Sequence, residues 1–233
     1  MISHKSVIID IRAITNIEDV LFNLQRLDSE LVKLNFEQFI LFNKSYQTVT
    51  HLIHQAVNDG HFKNPEFIEK FIVNFANYYF EAINNTSNGD ELSAPWVKLC
   101  DYSNIKSAPL FISLMLGANA HINYDLPQVL SKMMQTESPT DFLGDISKIN
   151  RILMKSGYQI IELFEEKNKF LNFLKNRLIF AYYRPAMYTI LYWRVRTWRN
   201  YEKLKKNSTA MQSITKRSIK IADRLLCVAR TLS

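Results

Sequence analysis

Residues Pro109-Leu110-Phe111-Ile112-Ser113-Leu114-Met115-Leu116 form an apolar run that has to be buried. The chain follows it at once with Gly117-Ala118-Asn119-Ala120-His121-Ile122-Asn123-Tyr124-Asp125-Leu126-Pro127. Polar groups that continue a buried element need partners, because each one left unpaired costs about 1–3 kcal/mol. On the helical period of about 100° per residue, Asn119 and Asn123 share one face, and His121 and Asp125 share nearly the opposite one. Gly117, Ala118 and Ala120 keep the helix narrow here, so a neighbouring backbone or a ligand can approach closely. A fold for this chain must therefore wrap other elements around a central helix with two polar columns. The residue before Pro127 is pushed out of the α region, which predicts a break near Leu126 and leaves Asp125 to cap the next helix.

The rest of the chain supplies helices for that purpose. Asn16 can cap a first helix whose stripe is Ile17, Val20, Leu21, Leu24, Leu27, Leu31 and Leu34. A second runs from about Phe36 to Asn58 and stops at Asp59-Gly60; on it Tyr46, Thr50 and His54 stand one turn apart in a single column. Asn64-Pro65-Glu66 starts a third, with Pro at the first helical position. Asn84–Glu91 reads as a surface loop, followed by a short turn around Pro95-Trp96. Ser138-Pro139-Thr140-Asp141 opens the next helix by capping-box logic. The segment from Phe170 to about Leu204 is helical on both sides of Pro185, which must kink or interrupt it. The last helix, residues 208–231, sets Met211, Ile214, Ile221, Leu225, Val228 and Leu232 against Lys216, Arg217, Lys220 and Arg224, with Ala222 and Ala229 suited to helix contact. Only 5 Gly and 6 Pro occur in 233 residues, and no stretch alternates as a strand would. The expectation is one all-α domain over 1–233, a bundle of about seven mostly antiparallel helices with its core over about 16–204.

Charge is unevenly placed. Eleven of the 29 Lys and Arg fall in residues 194–233 against two of the 22 acids, which makes that segment +9 and the remainder −2. Such a segment either packs by its apolar stripe or lies on an anionic membrane or nucleic acid, and packing is the favoured reading. Trp193-Arg194-Val195-Arg196-Thr197-Trp198-Arg199 interleaves aromatic and basic residues as nucleic-acid and membrane surfaces do, although a solvated helix face is the commoner meaning. Cys100 and Cys227 make no metal or redox spacing, the N-terminus does not read as a signal peptide, and neither 108–118 nor 178–193 gives the ~20 clean apolar residues of a membrane span. The expected location is the cytoplasm.

Four blocks carry a family resemblance: Phe42-Asn43-Lys44-Ser45-Tyr46-Gln47-Thr48-Val49-Thr50, Phe62-Lys63-Asn64-Pro65, Phe75-Ala76-Asn77-Tyr78-Tyr79-Phe80-Glu81-Ala82 and residues 117–127. In this order and spacing the chain, from about Phe36 to Trp198, resembles the bacterial domain of unknown function 5995 family. The Asn-Ala-His-Ile-Asn-x-Asp-Leu run at 119–126 is the most specific part. The resemblance brings no established activity with it, and it leaves the basic C-terminal segment outside.

The chemistry readable from the residues centres on His121 and Asp125. Four residues apart on a helix, they can act as an acid–base pair in which the carboxylate orients the ring. They can also hold a metal ion, but His4, His51, His54 and His61 are the only other imidazoles, too few for a multi-zinc centre, and no metal is assigned. Gly-x-Ser-x-Gly, phosphate-cradling glycine loops and Cys-x-x-Cys are absent, which argues against hydrolase, nucleotide and redox templates; the cofactor is open. The expected site is a mainly apolar pocket with a polar floor of Asn119, His121, Asn123 and Asp125. Tyr46, Thr50, His54 and Arg184 are candidates to complete it, Arg184 through an anionic group or a pair with Asp125 or Asp145. The ligand would be a small hydrophobic or carbonyl-containing molecule, with His121 as acid or base. The alternative is a non-catalytic binding or scaffold protein in which the motif only knits the bundle together.

Overall fold

The computed structural model describes residues 9–137, 139–165, 178–207 and 209–233, with the side chains of residues 158, 161–165 and 178–184 outside the description. The architecture is all-α, with no strand among the described residues. Asn16 accepts the Asp19 amide at 2.7 Å and starts α1, Ile17–Lys33, whose stripe Ile17, Val20, Leu24, Leu27 and Leu31 is fully buried. It lies along α2, Glu37–Asn58, and close to α3, Pro65–Asn88. Asn43 of α2 donates to the Leu24 carbonyl and the Asp28 carboxylate, both at 2.8 Å, and accepts the Tyr79 hydroxyl at 3.2 Å. One buried side chain so joins three helices, and its polar atoms are satisfied in doing so.

Two expected irregular stretches are helical. Asn84–Glu91 is a loop only at its end: α3 continues to Asn88 and closes at Gly89 with φ +72°. Asn84 turns away from solvent, accepting the Ile9 amide at 3.0 Å and donating to the Ile9 carbonyl at 2.9 Å, while the Thr86 hydroxyl folds back onto Ala82. Pro95-Trp96 opens α4, Ala94–Tyr102, where a proline in the first turn lacks only an amide that had no helical partner.

The central element is α5, Leu110–Ala118, which runs through a π-helical turn, Asn119–Asp125, straight into α6, Leu126–Met133. The expected break is absent, since Leu126 is α-helical at φ −56° and ψ −42°. A proline inside an α-helix collides with the carbonyl four residues back and withholds an amide. An i→i+5 turn moves that carbonyl aside. In that register the carbonyl left without an amide by Pro127 is Ile122, and the buried Thr197 hydroxyl donates to it at 2.9 Å. Asp125 does not cap α6, because its carboxylate is engaged elsewhere.

Beyond this rod, α7, Phe142–Glu165, packs on α2, and α8, Leu178–Lys206, packs on α6. The helix α8 continues through Pro185 without interruption. Of the expected opening of α7, Ser138 lies outside the described residues. Asp145 accepts the backbone amides of Lys63 and Asn64, each at 3.0 Å, and so caps α3 from α7. The last helix, α9, Ala210–Leu232, packs against α4, α5 and the π turn. Its inward row is Ile214, Ser218, Ala222, Leu226 and Ala229, so Ile214, Ala222 and Ala229 face inward as expected, whereas Ile221 and Leu225 only flank the contact and Val228 and Leu232 are exposed. The small Ser218, Ala222 and Ala229 let the α9 backbone come close to its neighbours. Lys216, Lys220 and Arg224 are left on the outside. No helix among the described residues is long and apolar enough to cross a membrane.

Candidate functional site

The π turn touches α3, α4, α8 and α9, so its side chains are enclosed from several directions. Its wider turn brings residues four apart nearer to one line than an α-helix does, and both polar columns bond internally. Asn123 donates to Asn119 Oδ1 at 3.0 Å, and Asn119 donates to the Ser218 carbonyl of α9 at 3.0 Å. On the other side, His121 Nδ1 lies 3.1 Å from Asp125 Oδ2, which also accepts the Trp96 indole N–H at 3.1 Å. The His121 ring stacks on Phe75 with 3.6 Å between centroids and an angle of 7°, and meets Phe42, Tyr46, Tyr79 and Trp96 edge-on or tilted. Gly117 makes room for this cage: a Cβ there would stand 2.7 Å from Phe42 Cγ.

Both members of the pair are 2% exposed, and their titration reflects it. Burial lowers the His121 pKa well below its ordinary value, and the positive charge of Arg194 adds to the effect. Burial raises the Asp125 carboxyl well above its ordinary range, opposed in part by the Trp96 hydrogen bond. Both shifts favour neutral forms, as expected of ionisable groups removed from water. Among the described residues, His121 Nε2 has no hydrogen-bond partner, and neither do the Tyr46 hydroxyl, the Ser45 hydroxyl and Asn123 Oδ1, all of them buried.

A cavity of about 590 Å³ lies against this ring. Its walls are apolar side chains from α2, α3, α5, α7 and α8, among them Phe71, Phe75, Met115, Ile149 and Met187. Val228 and Leu232 line it too, and since both are exposed, the cavity reaches the surface by the end of α9. Among the described residues, the polar ones on its wall are Ser45, Tyr46, His121 and Arg194. A second hollow at the start of α3, lined by Lys63, Asn64, Glu66, Lys70 and Glu137, holds none of the motif residues.

Of the expected polar floor, only His121 lines this cavity. Asp125 stands behind it, between the imidazole and Trp96, and Asn119 and Asn123 point to α9 because their column leaves the rod on the opposite side. The expected column on α2 splits. Tyr46 lines the cavity, whereas Thr50 is buried without lining it, its hydroxyl without a partner among the described residues. His54 sits 2.8 Å from Glu18 of α1, away from the cavity. Positions four apart drift by about 40° per step, enough over two turns to point His54 at a different neighbour. The Arg184 side chain lies outside the described residues. Its two suggested partners are otherwise engaged, Asp125 with Trp96 and His121, and Asp145 with the start of α3 and Lys148. Among the described residues, no group of three His, Cys, Asp or Glu stands close enough together to hold a metal ion.

Arg194 is the cavity residue that the sequence reading placed on a surface run. The signal was there: Met187, Ile190, Trp193, Thr197 and Tyr201 form the buried face of α8, and Arg194 is the charge set within it. Its Nε donates to Asn150 Oδ1 at 2.6 Å, and burial pushes its pKa down to about 10. Trp96 and Thr197, which anchor the π turn, were likewise invisible as partners, because nothing in local spacing links them to residues 122 and 125.

The match to a family model covers residues 17–232. The chain belongs to the family of unknown function DUF5995. The DUF5995 match includes α9, so the basic terminal helix is part of the family unit, not an addition to it. No curated protein and no solved structure matches the chain.

Proposed function

We propose that the cavity holds a small, mainly apolar molecule bearing a carbonyl or hydroxyl oxygen, and that His121 moves a proton to or from it, positioned by Asp125. The observation that carries this reading is His121 Nε2, buried and without a partner among the described residues, in a ring on the wall of a mainly apolar cavity, while Nδ1 of the same ring is held by Asp125. An unpaired buried nitrogen costs about 1–3 kcal/mol, which a ligand oxygen within hydrogen-bonding reach offsets. With both groups neutral, the Asp125 hydroxyl hydrogen-bonds to Nδ1 and the ring keeps its hydrogen on Nε2, for a ligand oxygen to take up. Delivery of the Nε2 proton to the ligand, with transfer of the carboxyl proton to Nδ1, leaves the other neutral tautomer of the ring and an Asp125 carboxylate that accepts the Trp96 N–H. The reverse sequence takes a proton from the ligand. No imidazolium has to form beside Arg194.

The test is native mass spectrometry of the purified protein to find a retained molecule, then incubation of that molecule with the protein in deuterium oxide. Wild type is expected to exchange a proton of the ligand, and His121→Gln to retain the ligand but lose the exchange. Equal exchange in both proteins would overturn the assignment. A second reading, in which the motif only knits the bundle, is favoured by the internal bonds of Asn119, Asn123 and Asp125. It predicts that no ligand is retained and that His121→Gln sharply lowers the melting temperature.

A further inference from the structure

Arg194 is half-buried, and among the described residues it has no counter-charge. Its side chain lines the cavity, on the side of α8 opposite the exposed Tyr188, Tyr192 and Val195. Asn150, a neutral acceptor, takes its Nε, and no carboxylate lies within ion-pair distance of it among the described residues. The Tyr46 hydroxyl lines the same cavity and is itself buried without a hydrogen-bond partner among the described residues. His121 feels the same guanidinium. Among the described residues the mainly apolar cavity wall so carries one cation, the hydroxyls of Ser45 and Tyr46, and the His121 imidazole. A buried charge without a partner is strongly unfavourable, and a guanidinium is shaped to meet a carboxylate with two parallel hydrogen bonds.

From the cavity's apolar walls and this unpaired cation, we infer that the ligand is an apolar carboxylic acid bound as its carboxylate. The carboxylate sits on Arg194 and Tyr46, and the hydrocarbon body runs along Phe71, Met115, Ile149 and Leu153. The inference rests on reading the cavity as a ligand site and names the class of molecule it takes. It also gives a reason for an arginine on this face: the bound anion, not a side chain, neutralises it.

The experiment uses the full chain, stripped of bound lipid, titrated calorimetrically with octanoate, laurate and palmitate, and with dodecanol and dodecylamine as controls of matched chain. The expected result is saturable binding of at least one acid, with the alcohol and amine weaker by ~tenfold or more, the equivalent of about 1.4 kcal/mol. In Arg194→Met the preference should disappear. That variant should also melt higher than wild type without ligand, because a half-buried charge without an acidic partner among the described residues has been replaced by an apolar side chain of similar length. Equal binding of laurate and dodecanol by wild type would overturn the carboxylate inference and leave the cavity reading intact. Binding of no chain at all would overturn the cavity reading itself. The comparison among ligands needs no variant, so misfolding of Arg194→Met would not blunt it. A melting temperature that falls in a folded Arg194→Met protein would show that the charge is already compensated, and the inference would fail.

Discussion

Replacing Asp125 by asparagine probes the protonation state on which the proton-transfer scheme depends. In the unfolded chain His121 and Asp125 titrate near their ordinary values of 6.5 and 3.8. Between about pH 4.5 and 6 the unfolded pair therefore carries one proton, mostly on the imidazole. In the folded protein burial lowers the imidazole value and raises the carboxyl value, and the proton-transfer scheme accordingly puts the one proton of the folded pair on Asp125. Equal proton counts give no slope, and in wild type the pair should add nothing to the pH dependence of stability in this window. Asp125→Asn leaves a folded state with no proton against an unfolded state with one, so its stability should fall by about 1.4 kcal/mol for each unit of acidification, relative to wild type. His121→Gln reverses the count: the folded state holds the Asp125 proton and the unfolded state does not, so stability should fall by about 1.4 kcal/mol per unit as pH rises. The double variant should be flat again. Urea unfolding followed by tryptophan fluorescence, with Trp96 buried against the pair, reports all four proteins at steps of pH. If Asp125→Asn kept the wild-type slope, Asp125 would be ionised throughout the window and the tautomer scheme would be wrong.

Three packing predictions follow from the same geometry. Gly117→Ala places a methyl 2.7–3.0 Å from the Phe42 side chain. It should lower stability by about 1–2 kcal/mol despite the better helix propensity of alanine, with the sign reversing in a Phe42→Ala background, measured as urea midpoints. Thr197→Val removes the hydroxyl that serves the Ile122 carbonyl and should cost about 1–2 kcal/mol, less when Pro127→Ala restores an amide; a double-mutant cycle in urea reads the difference. Asp145→Ala strips the acceptors from the Lys63 and Asn64 amides and should cost about 2–3 kcal/mol, seen first as faster hydrogen exchange in the opening turn of α3.

Much of this protein could be read without coordinates, because helix formation is local. The Asn16 cap, the stripe of α1, the Asp59-Gly60 stop and Pro65 at the start of α3 each depend on residues a few positions apart, and all stand where the sequence puts them. The same holds for the opposed columns of the 119–125 motif, since i and i+4 neighbours meet within one helix. The misreadings occurred where a distant partner overruled a local preference. Pro127 signals a break, but Thr197, seventy residues away, satisfies the carbonyl that the proline strands, and the rod continues. Asn84 reads as loop until Ile9 supplies both of its hydrogen bonds. Arg194 reads as surface charge until α2, α5 and α7 close around it to make a cavity. Local spacing determines which faces a helix has, but only packing decides what each face meets. Here that decision turned a motif on one helix into a site shared by several.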